Sequence, residues 1–235
     1  LDVSNTQDYC PNGLQVEGRA EVGKLVTGVT ASQQLLDAAI AQRADAILVH
    51  HGYFWKSEPI CITGIKQQRL KKLLCNDISL LAYHLPLDLH ATLGNNIQLA
   101  QLMGWPVEPS TGSLPPLVRS ALLDRGWTGA EMAQHIQARL GRAPLHIDVA
   151  RPIHRIAWCT GAAQSYLADA VELGADAFVS GEVSESTVHE AREHNIHYFA
   201  AGHHATERYG VKALGEHLAS EFGLVCEFID CPNPA

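Results

Sequence analysis

Ala44-Asp45-Ala46-Ile47-Leu48-Val49 and Ala175-Asp176-Ala177-Phe178-Val179-Ser180 share one pattern, a small–acidic–small opening that runs into mostly apolar residues, at positions 131 apart in a chain of 235 residues. The same step carries Lys24-Leu25-Val26 onto Arg155-Ile156-Ala157. It also carries Gln33, Leu36, Ala39 and Ile40 onto Gln164, Leu167, Ala170 and Val171 without a gap. An offset held over such a length marks an internal duplication rather than two unrelated β-α-β units. In each copy a short run (25–30, then 156–160) reads as a strand. A stretch with apolar residues at helical spacing (32–42, then 163–173) reads as a helix. The apolar run that follows (46–49, then 177–180) has the continuous character of a parallel strand covered on both faces.

Further on, the apolar runs 78–83 and 196–201 correspond. His84, Asp88 and Gly104 then fall 119 positions before His203, Glu207 and Gly223. The shorter step places twelve fewer residues in the middle connection of the second copy. Helical patterns follow at 97–103 and 211–222. The repeat unit is therefore β-α-β-α-β-α, an order that calls for mostly parallel sheets. Residues 108–116, rich in Pro, Ser and Gly, read as a linker. Thr128-x-x-Glu131 is a capping box opening a helix to about Leu140, Gly141 stops it, and 145–149 has strand character. This piece has no partner in the repeat. The expected division is 1–106 for the first half, 107–150 for an insertion and 151–235 for the second half.

Composition narrows the function. The net charge is −8 with histidines neutral, and no Lys/Arg cluster stands out, which argues against a nucleic-acid polymer as partner. A free nucleotide remains compatible, because a bound metal brings its own positive charge. No apolar stretch approaches the roughly 20 residues of a membrane span. No basic leader with an apolar core opens the chain, which starts at Leu1 rather than Met. A cytoplasmic protein is expected, with its six cysteines reduced and mostly structural. None of them forms a Cys-x-x-Cys pair, which disfavours a thiolate zinc site. The 13 histidines are the compositional oddity, since several stand beside carboxylates at loop-like positions.

His50-His51-Gly52 directly follows the strand 46–49, where the ligand crevice of an open α/β sheet lies. Neighbouring histidines on a strand point to opposite faces, but at a strand end, where Gly52 lets the chain turn, they can reach two adjacent ions. His84-x-x-x-Asp88 and His203-x-x-x-Glu207 also follow apolar runs. A spacing of four stacks two side chains on one helix face, although Pro86 favours a loop in the first copy. Singly, such pairs read as solvated histidines, surface ion pairs or caps. Three at strand ends, two of them repeat-related, point to a metal site. Nitrogen and oxygen donors without thiolate suit Fe, Mn, Zn, Ni or Co. Two ions about 3.5–4 Å apart, bridged by a carboxylate, are the usual hydrolytic arrangement. Glu182 aligns with His51 and is expected near the same crevice, as an acceptor for a ligand imidazole, a general base or a helix-starting acid. Tyr53, Phe54 and Trp55 are expected to pack in the core, the alternatives being a stacking surface for a base or a lid.

Asp8-Tyr9-Cys10-Pro11-Asn12-Gly13-Leu14-Gln15-Val16, Val49-His50-His51-Gly52-Tyr53-Phe54-Trp55, His84-Leu85-Pro86-Leu87-Asp88 with Gly94-Asn95-Asn96, and Gly202-His203-His204-Ala205-Thr206-Glu207-Arg208 together resemble the NIF-three-like family in its bacterial YbgI-like branch, often labelled GTP cyclohydrolase 1 type 2. The resemblance covers essentially the whole chain, with the family's opening helix expected to precede Leu1. It implies an internally duplicated three-layer α/β fold with mostly parallel sheets, and a toroidal homohexamer whose metal sites face the interior. By motif match it implies two divalent transition-metal ions per chain, held by His50, His51, Asp88, His203 and Glu207, with Glu207 bridging. His84 would be a further ligand or a group beside the ligands, and Glu182 and His84 are the candidate proton carriers. The family label implies metal-assisted hydrolysis that opens the purine imidazole ring of GTP through a metal-bound hydroxide. The contrasting expectation is a non-catalytic metal-carrying assembly that binds a regulator or partner protein. It rests on the lack of a phosphate-cradling Gly-rich loop or a basic cluster.

Overall fold

The structure, a computed structural model, describes residues 1–109 and 117–235. The linker read from residues 108–116 therefore lies mostly outside the described residues. Two compact units emerge, one of Leu1–Gly94 with Arg208–Pro232 and one of Asn95–Glu207 with Asn233–Ala235. This partition differs from the linear halves expected from the repeat, because each unit takes its last helix from the other copy.

The first unit starts with β1 (Gly13–Val16), β2 (Lys24–Thr30), α1 (Gln33–Ala41), β3 (Ala46–His51), α2 (Gly64–Cys75), β4 (Ser79–Ala82) and the single turn α3 (Leu85–Asp88). The second holds α4 (Asn95–Met103), β5 (Arg119–Trp127), α5 (Gly129–Leu140), β6 (Leu145–Ile147), β7 (Ile153–Trp158), α6 (Leu167–Glu172), β8 (Ala177–Ser180), α7 (Glu185–Glu193), β9 (His197–Ala200) and α8 (His203–Thr206). The chain then returns to the first unit as α9 (Arg208–Phe222) and β10 (Val225–Phe228). Two five-stranded, mostly parallel sheets result, ordered β1-β4-β3-β2-β10 and β5-β7-β8-β9-β6. β1 and β6 are the antiparallel neighbours of β4 and β9, and β5 is antiparallel to β7. Among the described residues no helix is long and apolar enough to cross a membrane.

Alternation along the strands explains why both faces of the first sheet are covered. Val26, Ile47, Val49 and Leu80 join Leu35, Leu36 and Leu73 of α1 and α2 in one core. Leu25, Ala46 and Leu48 face the other way, onto Leu87, Val211 and Leu214. Each fully buried Leu or Ile contributes about 1.5–3 kcal/mol of transfer free energy, which is why the exchanged helix α9 matters to this sheet. α1 starts at Ser32, whose Oγ accepts from Leu35 N at 3.2 Å. α5 has the expected Thr128/Glu131 capping box. In the second unit, Trp158 of β7 donates from Nε1 to Asn96 O of α4 at 3.0 Å and meets the Trp105 ring at 5.1 Å.

The duplication extends to strand register. Leu25 pairs with Ala46 and Ile156 with Ala177, preserving the step of 131 positions on both strands. The opening acids of the two quoted stretches have matching roles. Asp45 Oδ2 accepts from Gly23 N and Lys24 N at 2.9 and 2.8 Å. Asp176 Oδ2 accepts from His154 N and Arg155 N at 2.8 and 2.9 Å. An arginine pairs with the other oxygen, Arg19 on Asp45 and Arg151 on Asp176. Each aspartate thus ties the start of its own strand to the start of the neighbouring one. The third strands break the offset by one residue: Val49 pairs with Ala82, but Ser180 pairs with Ala200. The added residue before His203 is Gly202, whose φ of +103° favours glycine.

Candidate metal centre

In the first unit, His50 and His51 end β3. His50 is fully buried, and its Nδ1 lies 2.8 Å from Tyr83 O. A carbonyl only accepts, so neutral His50 carries its proton on Nδ1 and its lone pair on Nε2. That Nε2 stands 3.5 Å from Asp88 Oδ2. His51 places Nδ1 3.1 Å from Thr30 Oγ1 across the β2–β3 pairing. His84 sets Nδ1 2.7 Å from Asp8 Oδ1. The other Asp8 oxygen accepts from Leu85 N and Asn12 Nδ2 at 2.9 and 2.8 Å, and Asn12 Oδ1 accepts from His84 N at 2.7 Å. The segment before β1 therefore fixes both ring and backbone of His84. Burial alone would raise the Asp8 carboxyl, but the His84 and Asn12 hydrogen bonds outweigh it and hold the pKa at about 2. One atom each from His50, His51 and His84 lies within 4.8 Å of the others.

Two sequence expectations are corrected in this unit. His84-x-x-x-Asp88 is not a loop but runs into the helical turn α3, because a proline in a first helical turn sacrifices no intrahelical bond. Tyr53 is buried and donates to Ala31 O at 2.8 Å, and Phe54 packs against the same core, as expected. Trp55 instead flanks the histidines, with its ring 4.9 Å from that of His84 and 6.0 Å from that of His51. Cys10 also lies near Asp8 and His84. Burial and the Asp8 charge push its thiol up to about 12.

In the second unit, His203 is gripped by two carboxylates. Its Nδ1 lies 2.7 Å from Glu182 Oε1 and its Nε2 3.0 Å from Glu207 Oε2. Burial would lower the pKa of His203, but the hydrogen bonds and charges of Glu207 and Glu182 raise it to about 9. Without a metal, a proton therefore occupies the line between His203 Nε2 and the buried Glu207 at neutral pH. Gly161, at φ +71°, passes beside this pair; a Cβ there would overlap Glu207 Oε1 and come within 3.3 Å of His203 Nε2. Of the three roles expected for Glu182, its geometry shows hydrogen bonding to an imidazole.

The repeat-related His84 and His203 thus each meet a carboxylate at Nδ1, both at 2.7 Å. The carboxylates are not repeat-related: Asp8 comes from the N-terminal segment, and Glu182 from the loop after β8, where the first copy has His51. Imidazoles that ligate metals are commonly held this way, with the non-ligating nitrogen on a carboxylate or carbonyl. Nitrogen and carboxylate donors without a deprotonated thiol fit a divalent transition metal.

A profile of the Duf34/NIF3 (NGG1p interacting factor 3) family matches residues 1–234. The chain belongs to the Duf34/NIF3 family. A Pseudomonas aeruginosa protein named GTP cyclohydrolase 1 type 2 homolog is 58% identical over 240 residues, covering 100% of this chain and 94% of the relative. The solved structure of protein ybgI, described as of unknown function, superposes with a TM-score of 0.96 at 53% identity, over 100% of this chain and 94% of that one. A Thermus thermophilus protein, TTHA1606, gives a TM-score of 0.83 at 33% identity, over 97% and 92% of the two chains. No role for Asp8 follows from the repeat or the His–acid motifs of this Duf34/NIF3 protein. The signal lay in the spacing of Asp8 and Asn12 within the first quoted motif, where two short polar side chains precede a strand.

Proposed function

We propose that this Duf34/NIF3 protein binds about two divalent transition-metal ions per chain through His50, His51, Asp88, His203 and Glu207, and hydrolyses a purine nucleotide of the GTP class by opening its imidazole ring. One repeated observation supports this reading. Nδ1 of His50, His51 and His203 is in every case engaged by a carbonyl, hydroxyl or carboxylate oxygen, which leaves Nε2 as the atom available to a metal, and the same hold on His84 Nδ1 leaves its Nε2 available to a proton. The name of the curated relatives supports the substrate class. Bound ions would supply Lewis acidity and bring the pKa of a coordinated water to about 7.

The chain's own groups supply positioning and proton transfer. His84, with Nδ1–H fixed on Asp8, takes a proton at Nε2 from the attacking water and returns it to the departing ring nitrogen. Glu182 holds His203 in one tautomer and orientation. Trp55 offers an aromatic wall beside His84 for a purine ring. A homohexamer in the cytoplasm is the expected setting. The exposed Ile60, Ile62 and Ile65 support self-association, and the free thiols among the described residues support a reducing compartment.

Elemental analysis of protein purified without added metal tests the centre. The centre is expected to contribute about two ions per chain, and that contribution should fall in His50→Ala, Asp88→Ala and Glu207→Ala proteins. If those variants keep their full metal content, the ligand assignment is wrong. Incubating metal-loaded protein with GTP and other nucleoside phosphates, followed by the NMR signal of the purine C8 proton, tests the chemistry. Metal-dependent loss of that signal is expected, and it should fail in His84→Ala and Glu182→Gln. Full metal content with no turnover of any nucleotide would remove the hydrolase and leave a metal-carrying assembly.

A further inference from the structure

The second unit carries another cluster, at the opposite end of its sheet from His203. His146 lies in β6, Asp148 follows that strand, and His197 opens β9. His146 Nε2 and His197 Nδ1 are 3.1 Å apart; Asp148 Oδ1 lies 3.7 Å from the first and 3.3 Å from the second. We propose that His146 Nε2, His197 Nδ1 and Asp148 Oδ1 form a separate binding site for a divalent transition metal such as zinc or cobalt.

The separations match the coordination geometry. Bonds of about 2.0–2.1 Å to nitrogen and oxygen, at tetrahedral angles, set neighbouring donors about 3.3–3.4 Å apart. The three distances found, 3.1, 3.3 and 3.7 Å, bracket that value. The tautomer of His197 is set by its surroundings. Its Nε2 lies 2.8 Å from Arg151 O, which only accepts, so neutral His197 has its lone pair on Nδ1, facing the cluster. His146 stacks on Phe199 with ring centroids 4.3 Å apart and an interplanar angle of 9°, which fixes the direction of its Nε2. His197 Nδ1 and Asp148 Oδ1 thus turn lone pairs toward His146 Nε2, and a proton on that nitrogen can bridge to only one of them.

The backbone leaves room for this convergence. A Cβ on Gly129, the first residue of α5, would stand 2.5 Å from His146 Cε1 and 2.7 Å from both Asp148 Oδ1 and His197 Cε1. His197 is only 1% exposed, whereas the Asp148 side chain is 73% exposed. An ion would therefore be anchored from within and reachable from solvent, with a fourth position open to water or an exogenous ligand. Two imidazoles and one carboxylate favour zinc, cobalt, nickel or copper over magnesium or calcium.

Full-length protein carrying Asp88→Ala and Glu207→Ala, which disables the centre proposed above, should be titrated with Co2+ and Zn2+ by calorimetry and visible absorption. One ion per chain is expected to remain, with the cobalt spectrum of a tetrahedral nitrogen/oxygen site. Adding Asp148→Asn or His146→Ala should weaken it by at least the roughly 10–100-fold that loss of even an indirect partner costs. Should the double variant fail to fold, the same comparison is made in the otherwise unchanged chain, because exposed Asp148 can be altered without disturbing the core. There Asp148→Asn is expected to lower the zinc content by one ion while the His50-containing centre keeps its own. Equal metal content and affinity with and without Asp148→Asn and His146→Ala would overturn the proposal, whatever becomes of the nucleotide chemistry.

Discussion

Asp8 and His84 are 76 positions apart in sequence, yet a 2.7 Å hydrogen bond joins them. The Asp8 carboxyl falls from 3.8 to about 2 on folding, so its contribution to stability is complete above pH 4 and is lost as pH falls toward 2. Asp8→Asn is expected to cost up to about 2 kcal/mol at pH 6, with urea-unfolding curves of variant and parent converging near pH 2. The shift at His203 has the opposite sign. Its pKa rises from 6.5 to about 9, so the metal-free fold gains stability from its protonated form below pH 6.5 and loses it as pH climbs through 9. A ligating metal must displace that proton. Apparent zinc affinity should rise about tenfold per pH unit from 7 to 9 and then level off, and Glu182→Gln should flatten the slope in a chelator-competition titration. The His–acid motifs were legible in the sequence because spacing and repeat single them out. The role of Asp8 was not, because it depends on a long-range contact with no counterpart in the second copy.

At the level of elements, the sheets rest on a device that the repeat displays twice. Asp45 and Asp176 each accept two backbone N–H groups from the start of the adjacent strand and pair with an arginine. Asp45→Ala and Asp176→Ala would hand those part-exposed donors to water and release the arginines. Each is expected to cost about 0.5–1.5 kcal/mol in urea denaturation, with little change in the slope of the transition. The parallel strands could be read from continuous apolar runs, and α1 and α5 from their periodicity and caps. The short turns around the histidines were harder to read. Pro86 suggested a loop because proline usually breaks helices, whereas its place in the first turn of α3 is one where it fits. The extra residue at Gly202 shows in the strand pairing, where apolar similarity alone allows a slip of one position.

For the whole molecule, the order of elements was legible but the membership of each unit was not. Hydrophobic patterning says that a helix has a face to bury, not which sheet will receive it. α9 gives Val211 and Leu214 to the core of the first sheet, and Gly215 lies so close to β2 that a Cβ would come 2.5 Å from Thr27 Cγ2. A chain ending at Glu207 would leave Leu25, Ala46 and Leu48 without that cover. It is expected to lose its cooperative thermal transition, and a peptide spanning 208–232 supplied in trans should restore it, as followed by circular dichroism. The two helices that follow the histidine motifs also suggest an ancestry. α4 belongs to the second copy's unit and α9 to the first copy's. If that exchange is older than the duplication, an ancestor with one copy drew its covering helix from a second chain. It would have existed as a pair of chains trading that helix, as swapped dimers do. Gene fusion would then have made the trade permanent, so that neither half can be inherited or replaced without the other.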